Sequence, residues 1–160
     1  MLNNTENNGI IDVMNRQRRN YINDPQRILD TATPQRGTVT YIGAPSESEQ
    51  RAIDWIYNNI GGNITVLAEN NLDGVANPDL LWNNVLVDMK HTAGTASTLD
   101  SHVQKAIRQT NRGGVIVDVT NTKIEDEDTI RTVLKRLQYS RGRFAPVLKG
   151  GTLLAYITEE

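Results

Sequence analysis

The sequence has no cysteine and only two histidines among its 160 residues. The lack of cysteine excludes disulfide scaffolds, thiolate-bound zinc or iron–sulfur centres and a cysteine nucleophile. Two histidines are too few for a histidine-rich metal site. No apolar run reaches the length of about 18 residues that a transmembrane helix needs, and the amino terminus lacks the apolar segment of a secretory signal. Any chemistry must therefore come from carboxylates, amines, guanidinium groups, hydroxyls and amides.

Net positive charge is also lacking. The formal net charge is −2 and the isoelectric point is about 5.7, which excludes a generally basic protein that coats nucleic acid. A hydrophobic share of 38% and a charged share of 22% are typical of one globular domain. Residues 1–36 are polar and predict a leader or linker with at most one short helix near 24–31, whereas residues 37–160 predict the folded domain. Such a leader remains when a terminal domain is cut from a longer polypeptide, and an ordinary frayed terminus fits equally well.

From Gly37 onward, the sequence predicts alternating strands and helices. Helices begin at Ser46, at Ser97 and near Glu125, where capping residues precede apolar stripes at helical spacing. Strands are predicted at 38–42, 64–68 and 115–119, in one hairpin with an Asn83-Asn84 turn, and in a closing hairpin around Gly150-Gly151. This order predicts an α/β or α+β domain with a mixed sheet flanked by helices.

Acidic residues and a lysine gather around the first hairpin. Asp79 precedes the first arm, and Asp88 and Lys90 project to the same face of the second arm because alternate strand residues share a face. Glu49 follows the apolar stripe of the preceding helix, which predicts a carboxylate that points inward and needs a partner or a metal. A capping box with Ser46 is the alternative role of Glu49.

Glu49, Asp79, Asp88 and Lys90 together predict the catalytic set of a metal-dependent phosphodiesterase. Hard oxygen ligands suit Mg²⁺ or Mn²⁺ better than Zn²⁺, with Glu49, Asp79 and Asp88 as the metal ligands. The metal would lower the pKa of a bound water and stabilise charge in the transition state. Lys90 would orient or deprotonate that water.

These residues also carry a family resemblance. Pro78-Asp79, then eight residues, then Asp88-Met89-Lys90 resembles the motif of PD-(D/E)XK nucleases. Within that superfamily, residues 37–158 look most like the nuclease toxin domain at the carboxyl end of contact-dependent growth inhibition proteins, a domain class also found on some phage head proteins. The resemblance implies a restriction-endonuclease-like mixed sheet and the same roles for the four residues. It also matches Gln104 to a helix glutamine found near some such sites. The pattern of the family has glutamate or aspartate at the position of Asp88, and aspartate is the shorter of the two.

Further residues are candidates for binding the substrate. Thr92, in the loop after the lysine, is expected to meet substrate phosphates through its hydroxyl, and a flexible connector is the alternative. Arg131, Lys135 and Arg136 form a local basic cluster that predicts a track for phosphates, and a solvated helix face is its alternative. His102, on a helix with Lys105 and Arg108, is a further candidate for contact with phosphate, and a solvated position is the favoured alternative.

The leading hypothesis is a metal-dependent endonuclease that acts as a toxin-like effector domain, with tRNA favoured slightly over DNA as substrate. The resemblance implies an immunity protein as partner, a place in the carboxyl-terminal part of a larger protein, and action in the bacterial cytoplasm after delivery from another cell. No membrane anchor is expected. The alternative is a non-catalytic module that binds nucleic acid or protein with a nuclease-like fold, such as a domain of a phage structural protein.

Overall fold

One mixed sheet of eight strands organises the part of the chain that the computed structural model describes, residues 20–70 and 75–159. The strands stand in the order β1-β8-β7-β6-β5-β4-β3-β2. Their bounds are β1 Asn20–Asn23, β2 Val39–Tyr41, β3 Ile64–Val66, β4 Leu80–Trp82, β5 Val85–His91, β6 Gly114–Asp118, β7 Phe144–Lys149 and β8 Thr152–Glu159.

Helices cover both faces of the sheet. They are α1 Pro25–Thr31, α2 Glu47–Asn59, α3 Ala96–Gln109 and α4 Asp126–Ser140. The apolar stripes of α3 and α4 share one core with β6, β7 and β8. The stripes of α1 and α2 share a second core with β3, β4 and part of β5. The predicted class, a mixed sheet flanked by helices, is confirmed.

Strand β6 lies at the centre and explains why two cores form. It pairs in parallel with both β5 and β7, and α3 and α4 make the two crossover connections. Val115 and Val117 belong to the core under α3 and α4, whereas Ile116 belongs to the core under α2. The continuous β-branched run of this strand therefore serves both faces, as its sequence predicts.

The β4–β5 hairpin positions the acidic residues. Its two turn residues, Asn83 and Asn84, adopt φ angles of 49° and 67°, the left-handed conformation that tight hairpin turns require. In the resulting register Leu80 lies opposite Val87, so Asp79 comes opposite Asp88 just beyond the last pair. Strand β4 has three residues and β5 has seven, so the second half of β5 extends past the end of β4.

Two sequence predictions need correction. The predicted leader, residues 1–36, contains part of the fold, because β1 pairs with β8 and α1 packs Ile28 and Leu29 against the core under α2. A strand of four residues, two of them asparagine, carries little signal of its own and forms by pairing with β8. The rest of that leader, residues 1–19, lies outside the described residues. Helix α3 is capped by Thr95 rather than Ser97.

No helix in the described parts of the chain combines the length and the apolar character needed to cross a membrane.

Candidate active site

Asp79 and Asp88 form a pair of carboxyl groups where β4 ends beside β5. Asp88 is 3% exposed and Asp79 is half-buried, and their carboxyl groups lie close enough to interact. The backbone N–H of Met89 donates to Asp79 Oδ2 at 2.6 Å. Asp79 thus accepts a hydrogen bond from Met89, a residue of β5 that lies beyond the end of β4. The hairpin register and this bond together fix the two carboxyl groups side by side.

Electrostatics favour the protonated form of Asp79. Burial raises the pKa of the Asp79 carboxyl to about 9, and the hydrogen bond to Asp88 and its negative charge act in the same direction. The bond from Met89 opposes this shift, but it is the weaker influence. Two adjacent carboxylates shielded from water repel each other strongly when both are ionised. In the absence of a cation, Asp79 therefore holds a proton at neutral pH.

Lys90 lies next to the pair without saturating it. Its Nζ is 3.1 Å from Asp88 Oδ2, yet that buried oxygen has no hydrogen-bond partner of acceptable geometry among the described residues. A buried carboxylate oxygen without a hydrogen bond is costly. The pair therefore presents one oxygen that a further cation could satisfy.

Glu49 is held in its capping box and also reaches the acidic pair. Its Oε1 accepts the backbone N–H of Ser46 at 2.8 Å, and its own N–H donates to Ser46 Oγ at 3.2 Å. Burial alone would raise the pKa of this carboxyl, but hydrogen bonds to Ser46 and Asp79 and the positive charge of Lys90 hold it below its usual value. Glu49 is therefore an ionised carboxylate beside a protonated Asp79.

The four residues predicted to be catalytic thus form one connected group, in the order Glu49, Asp79, Asp88, Lys90. A cavity of about 310 Å³ opens beside Glu49, Asp79 and Met89. A wider groove of about 640 Å³, lined by Trp55 and Asp118 among others, does not include the acidic pair. The chemical roles of the four residues stay predictions.

The fit to a divalent metal rests on the aspartate pair. Within residues 20–70 and 75–159, no three acidic or histidine side chains are arranged to hold a metal ion. Mg²⁺, however, is commonly bound through one or two carboxylates, with waters and substrate phosphates completing its shell. Asp79 and Asp88 supply such a set of hard oxygens, one of them without a hydrogen bond. Glu49 is committed to its cap in this arrangement, and Zn²⁺, which uses three or four protein ligands, fits less well.

Two residues that the sequence predicts to bind substrate, Thr92 and Gln104, do not face the open side of this site. Thr92 is fully buried, and its hydroxyl is hydrogen-bonded to His102 Nδ1 at 2.8 Å, so no free hydroxyl faces a phosphate. Gln104 is exposed and lies four residues after Asp100, on the side of α3 that pairs with Arg136 of α4. That side of α3 faces α4 rather than β5.

His102 is a neighbour of the site, although the sequence analysis favoured a solvated position for it. It is half-buried rather than solvated, and it lies close enough to Lys90 for the two side chains to interact electrostatically. Burial, followed by the positive charges of Lys90 and Lys105, lowers its pKa. Its helical spacing with Lys105 was the available signal in the sequence.

Most of the predicted basic cluster on α4 is neutralised. Arg131 pairs with Glu127 at 2.9 Å and with Asp128 at 3.7 Å. Arg136 makes two bonds of 2.8 Å to the carboxylate of Asp100. Lys135 is exposed and makes no ion pair within the described residues; with Arg131 it lines a groove of about 540 Å³ between the amino-terminal ends of α3 and α4.

No protein-family model matches the chain, and no curated protein sequence matches it. Among solved structures, the chain is similar to one described as a "CdiA-CT/CdiI toxin and immunity complex from Burkholderia pseudomallei". The two share 12% identity over 76% of this chain and 99% of the other, with a TM-score of 0.48. A likeness at this level supports no inference about function.

Proposed function

We propose that the chain is a divalent-metal-dependent nuclease that hydrolyses phosphodiester bonds. The observation that carries this proposal is the adjacent carboxyl groups of half-buried Asp79 and buried Asp88, with Lys90 3.1 Å from Asp88. Two carboxyl groups held together in a buried site cost stability unless a cation joins them. Perturbed acidic groups beside a lysine and next to a cavity are typical of a catalytic site.

Each residue has a definite part in this proposal. Asp79 and Asp88 would hold the Mg²⁺ or Mn²⁺ ion, and Asp88 Oδ2, which is near Lys90 but accepts no hydrogen bond, would gain a ligand. When bound, the metal supplies Lewis-acid stabilisation to phosphate oxygens and makes water a better nucleophile. Lys90 would offset negative charge on the phosphate and orient the attacking water. Glu49, which is ionised and hydrogen-bonded to Asp79, would help to orient the metal-binding pair.

The substrate and the biological role rest on the resemblance of the sequence motif. On that basis we propose tRNA, slightly favoured over DNA, as the substrate, and a toxin-like effector as the role. The same resemblance supports an immunity protein as partner, a larger parent protein, and action in the bacterial cytoplasm after delivery from another cell.

The decisive experiment is a cleavage assay. The protein is incubated with total tRNA or with plasmid DNA, in Mg²⁺, in Mn²⁺ or in EDTA. We expect cleavage of at least one substrate with metal and none in EDTA, and loss of cleavage in Asp88→Asn. Asp30→Asn, at an exposed carboxylate of α1, is the matched control and should cleave like the unaltered protein. No cleavage of either substrate, or full cleavage by Asp88→Asn, would overturn the proposal.

A second candidate function is a non-catalytic binding module. The engagement of Glu49 in its capping box favours it, because that residue then has a structural role that needs no chemistry. This candidate predicts salt-dependent binding of nucleic acid that survives Asp88→Asn, with no cleavage in either metal.

A further inference from the structure

One flank of α3 runs along the edge of the active site. His102, Lys105 and Gln109 are spaced at i, i+3 and i+7 and therefore form one stripe on the helix. At one end of the stripe, His102 Nδ1 is 2.8 Å from the hydroxyl of Thr92, two residues after Lys90. At the other end, Gln109 Oε1 accepts the N–H of Asn77, in the loop that leads to Asp79. Lys105 lies between these two anchors.

The charges of this flank are available to a ligand. Lys105 is exposed and makes no ion pair with any residue that the structure describes. The Nε2 atom of His102 likewise has no hydrogen-bond partner among the described residues. Thr92 contacts only the Nδ1 atom. Arg131 and Arg136 differ, because acidic residues of their own helix or of α3 already bind them.

The acidic pair needs a basic neighbour if it is to receive a polyanion. Carboxylates at the site repel a nucleic-acid backbone, and nearby cations offset that repulsion and hold the backbone in place. Lys90 is only 22% exposed at its side chain and is paired with Asp88, so it serves the reacting group itself. The stripe on α3 supplies the next basic groups along the same edge.

We propose that His102 and Lys105 bind a backbone phosphate of the substrate next to the phosphodiester that lies at Asp88 and Lys90. Lys105 contributes the charge, and the free ring nitrogen of His102 contributes a polar contact. This inference rests on the proposed nuclease function. It moves the phosphate-binding surface from α4, where the sequence predicts it, to α3.

Binding and cleavage are measured separately to test it. Dissociation constants for total tRNA and for a DNA duplex are determined by fluorescence anisotropy over a series of NaCl concentrations, in Asp88→Asn protein that does not cleave. We expect Lys105→Gln to weaken binding about fivefold and to reduce the salt slope by about 1. Lys105→Arg should restore binding, because it keeps the charge. His102→Asn, which keeps a polar atom near Nδ1 and removes Nε2, should weaken binding about twofold.

The control is Arg27→Gln, an exposed cation on α1, whose apolar residues pack against the core on the other face of the sheet. It should bind like the Asp88→Asn parent. If Lys105→Gln and Arg27→Gln behave alike while the unaltered protein cleaves nucleic acid, the phosphate site is wrong and the nuclease function stands. If the unaltered protein neither cleaves nor binds nucleic acid, both proposals fail.

Discussion

The acidic site at β4 and β5 packs like charges together, whereas the basic cluster on α4 pairs opposite charges. At the first, like-charged carboxyl groups are packed together, and a buried oxygen of Asp88 lacks a hydrogen bond. At the second, Arg131 and Arg136 are bound by three acidic side chains. Opposite charges that form ion pairs stabilise a fold. Like charges packed together cost stability and indicate the binding of a ligand.

The difference arises from local geometry. Along α4, acidic residues precede Arg131 by three and four positions, which brings their side chains together on the helix surface. In the hairpin, the register sets two aspartates opposite each other, where like charges repel. Sequence composition gives no hint of this contrast, because both regions contain acidic and basic residues.

The largest expected effect separates the two regions by activity. Lys90→Gln should slow cleavage at least about 100-fold, because it removes the cation beside the reacting phosphate. Arg131→Gln should slow it less than about threefold, because its charge is already neutralised. Initial rates on the cleaved substrate measure both. Equal losses in the two variants would show that the α4 cluster takes part in the reaction as much as the hairpin does.

The second effect concerns metal binding and pH. The proton of Asp79 must leave when a metal ion binds, so the apparent affinity for Mn²⁺ should rise by up to about tenfold per pH unit below the raised pKa of about 9. Isothermal titration calorimetry in two buffers of different ionisation enthalpy measures the released proton. Asp100→Asn, at an acid that Arg136 pairs, should leave this dependence unaltered. Mn²⁺ binding that is independent of pH would contradict a protonated Asp79.

The third effect tests the paired region by stability. Arg136→Gln should lower the free energy of unfolding by about 1.5 kcal/mol, because it breaks a two-bond pair with Asp100 that is partly shielded from water. That pair lowers the pKa of Asp100, so its contribution is present at neutral pH and is lost as the pH falls through that lowered pKa. Urea unfolding of both single variants and the double variant measures the coupling. A coupling energy of zero would mean that the pair contributes nothing to stability.

The smallest effect tests whether the burial of Asp79 beside Asp88 costs stability. Asp79→Asn should raise the free energy of unfolding by about 1 kcal/mol at pH 8 in EDTA, after allowance for the part of the side chain that water reaches. The folded-state pKa of Asp79 is raised, so its stabilisation is fully present below its ordinary pKa and is lost as the pH rises through about 9. The gain should therefore shrink at pH 4. Thermal melts at both pH values measure this change in stability. If Asp79→Asn is less stable than the unaltered protein at pH 8, the charge of Asp79 does not cost stability.

Much of the fold could be predicted from the sequence because local signals dominate it. The Asn83-Asn84 turn defines the β4–β5 hairpin, and alternation along β5 correctly places Asp88 and Lys90 on one face. The position of α1 near residues 24–31 also followed from the sequence. Strand β1 did not, because a segment of four residues becomes a strand here only through hydrogen bonds to β8, at the far end of the chain.

The candidate site was predictable to a lesser degree. The proximity of Glu49 to Asp79 was expected, and the capping box was a competing expectation; the structure has both. The substrate-contacting residues could not be predicted in the same way. Helical spacing gives the side of α3 on which Gln104 lies, but only the packing of α3 against β5 and α4 decides which side meets the active site.

The sequence by itself determined which groups are available for chemistry. Without cysteine and with two histidines, it left carboxylates and amines, and its hairpin set Asp79, Asp88 and Lys90 in register. Tertiary structure alone decided their charge states and their neighbours. Burial raises the pKa of Asp79, α3 brings His102 and Lys105 to the edge of the site, and contact between α3 and α4 neutralises Arg136. The physical reason is that pKa values and ion pairs depend on desolvation and on distances between residues far apart in the chain.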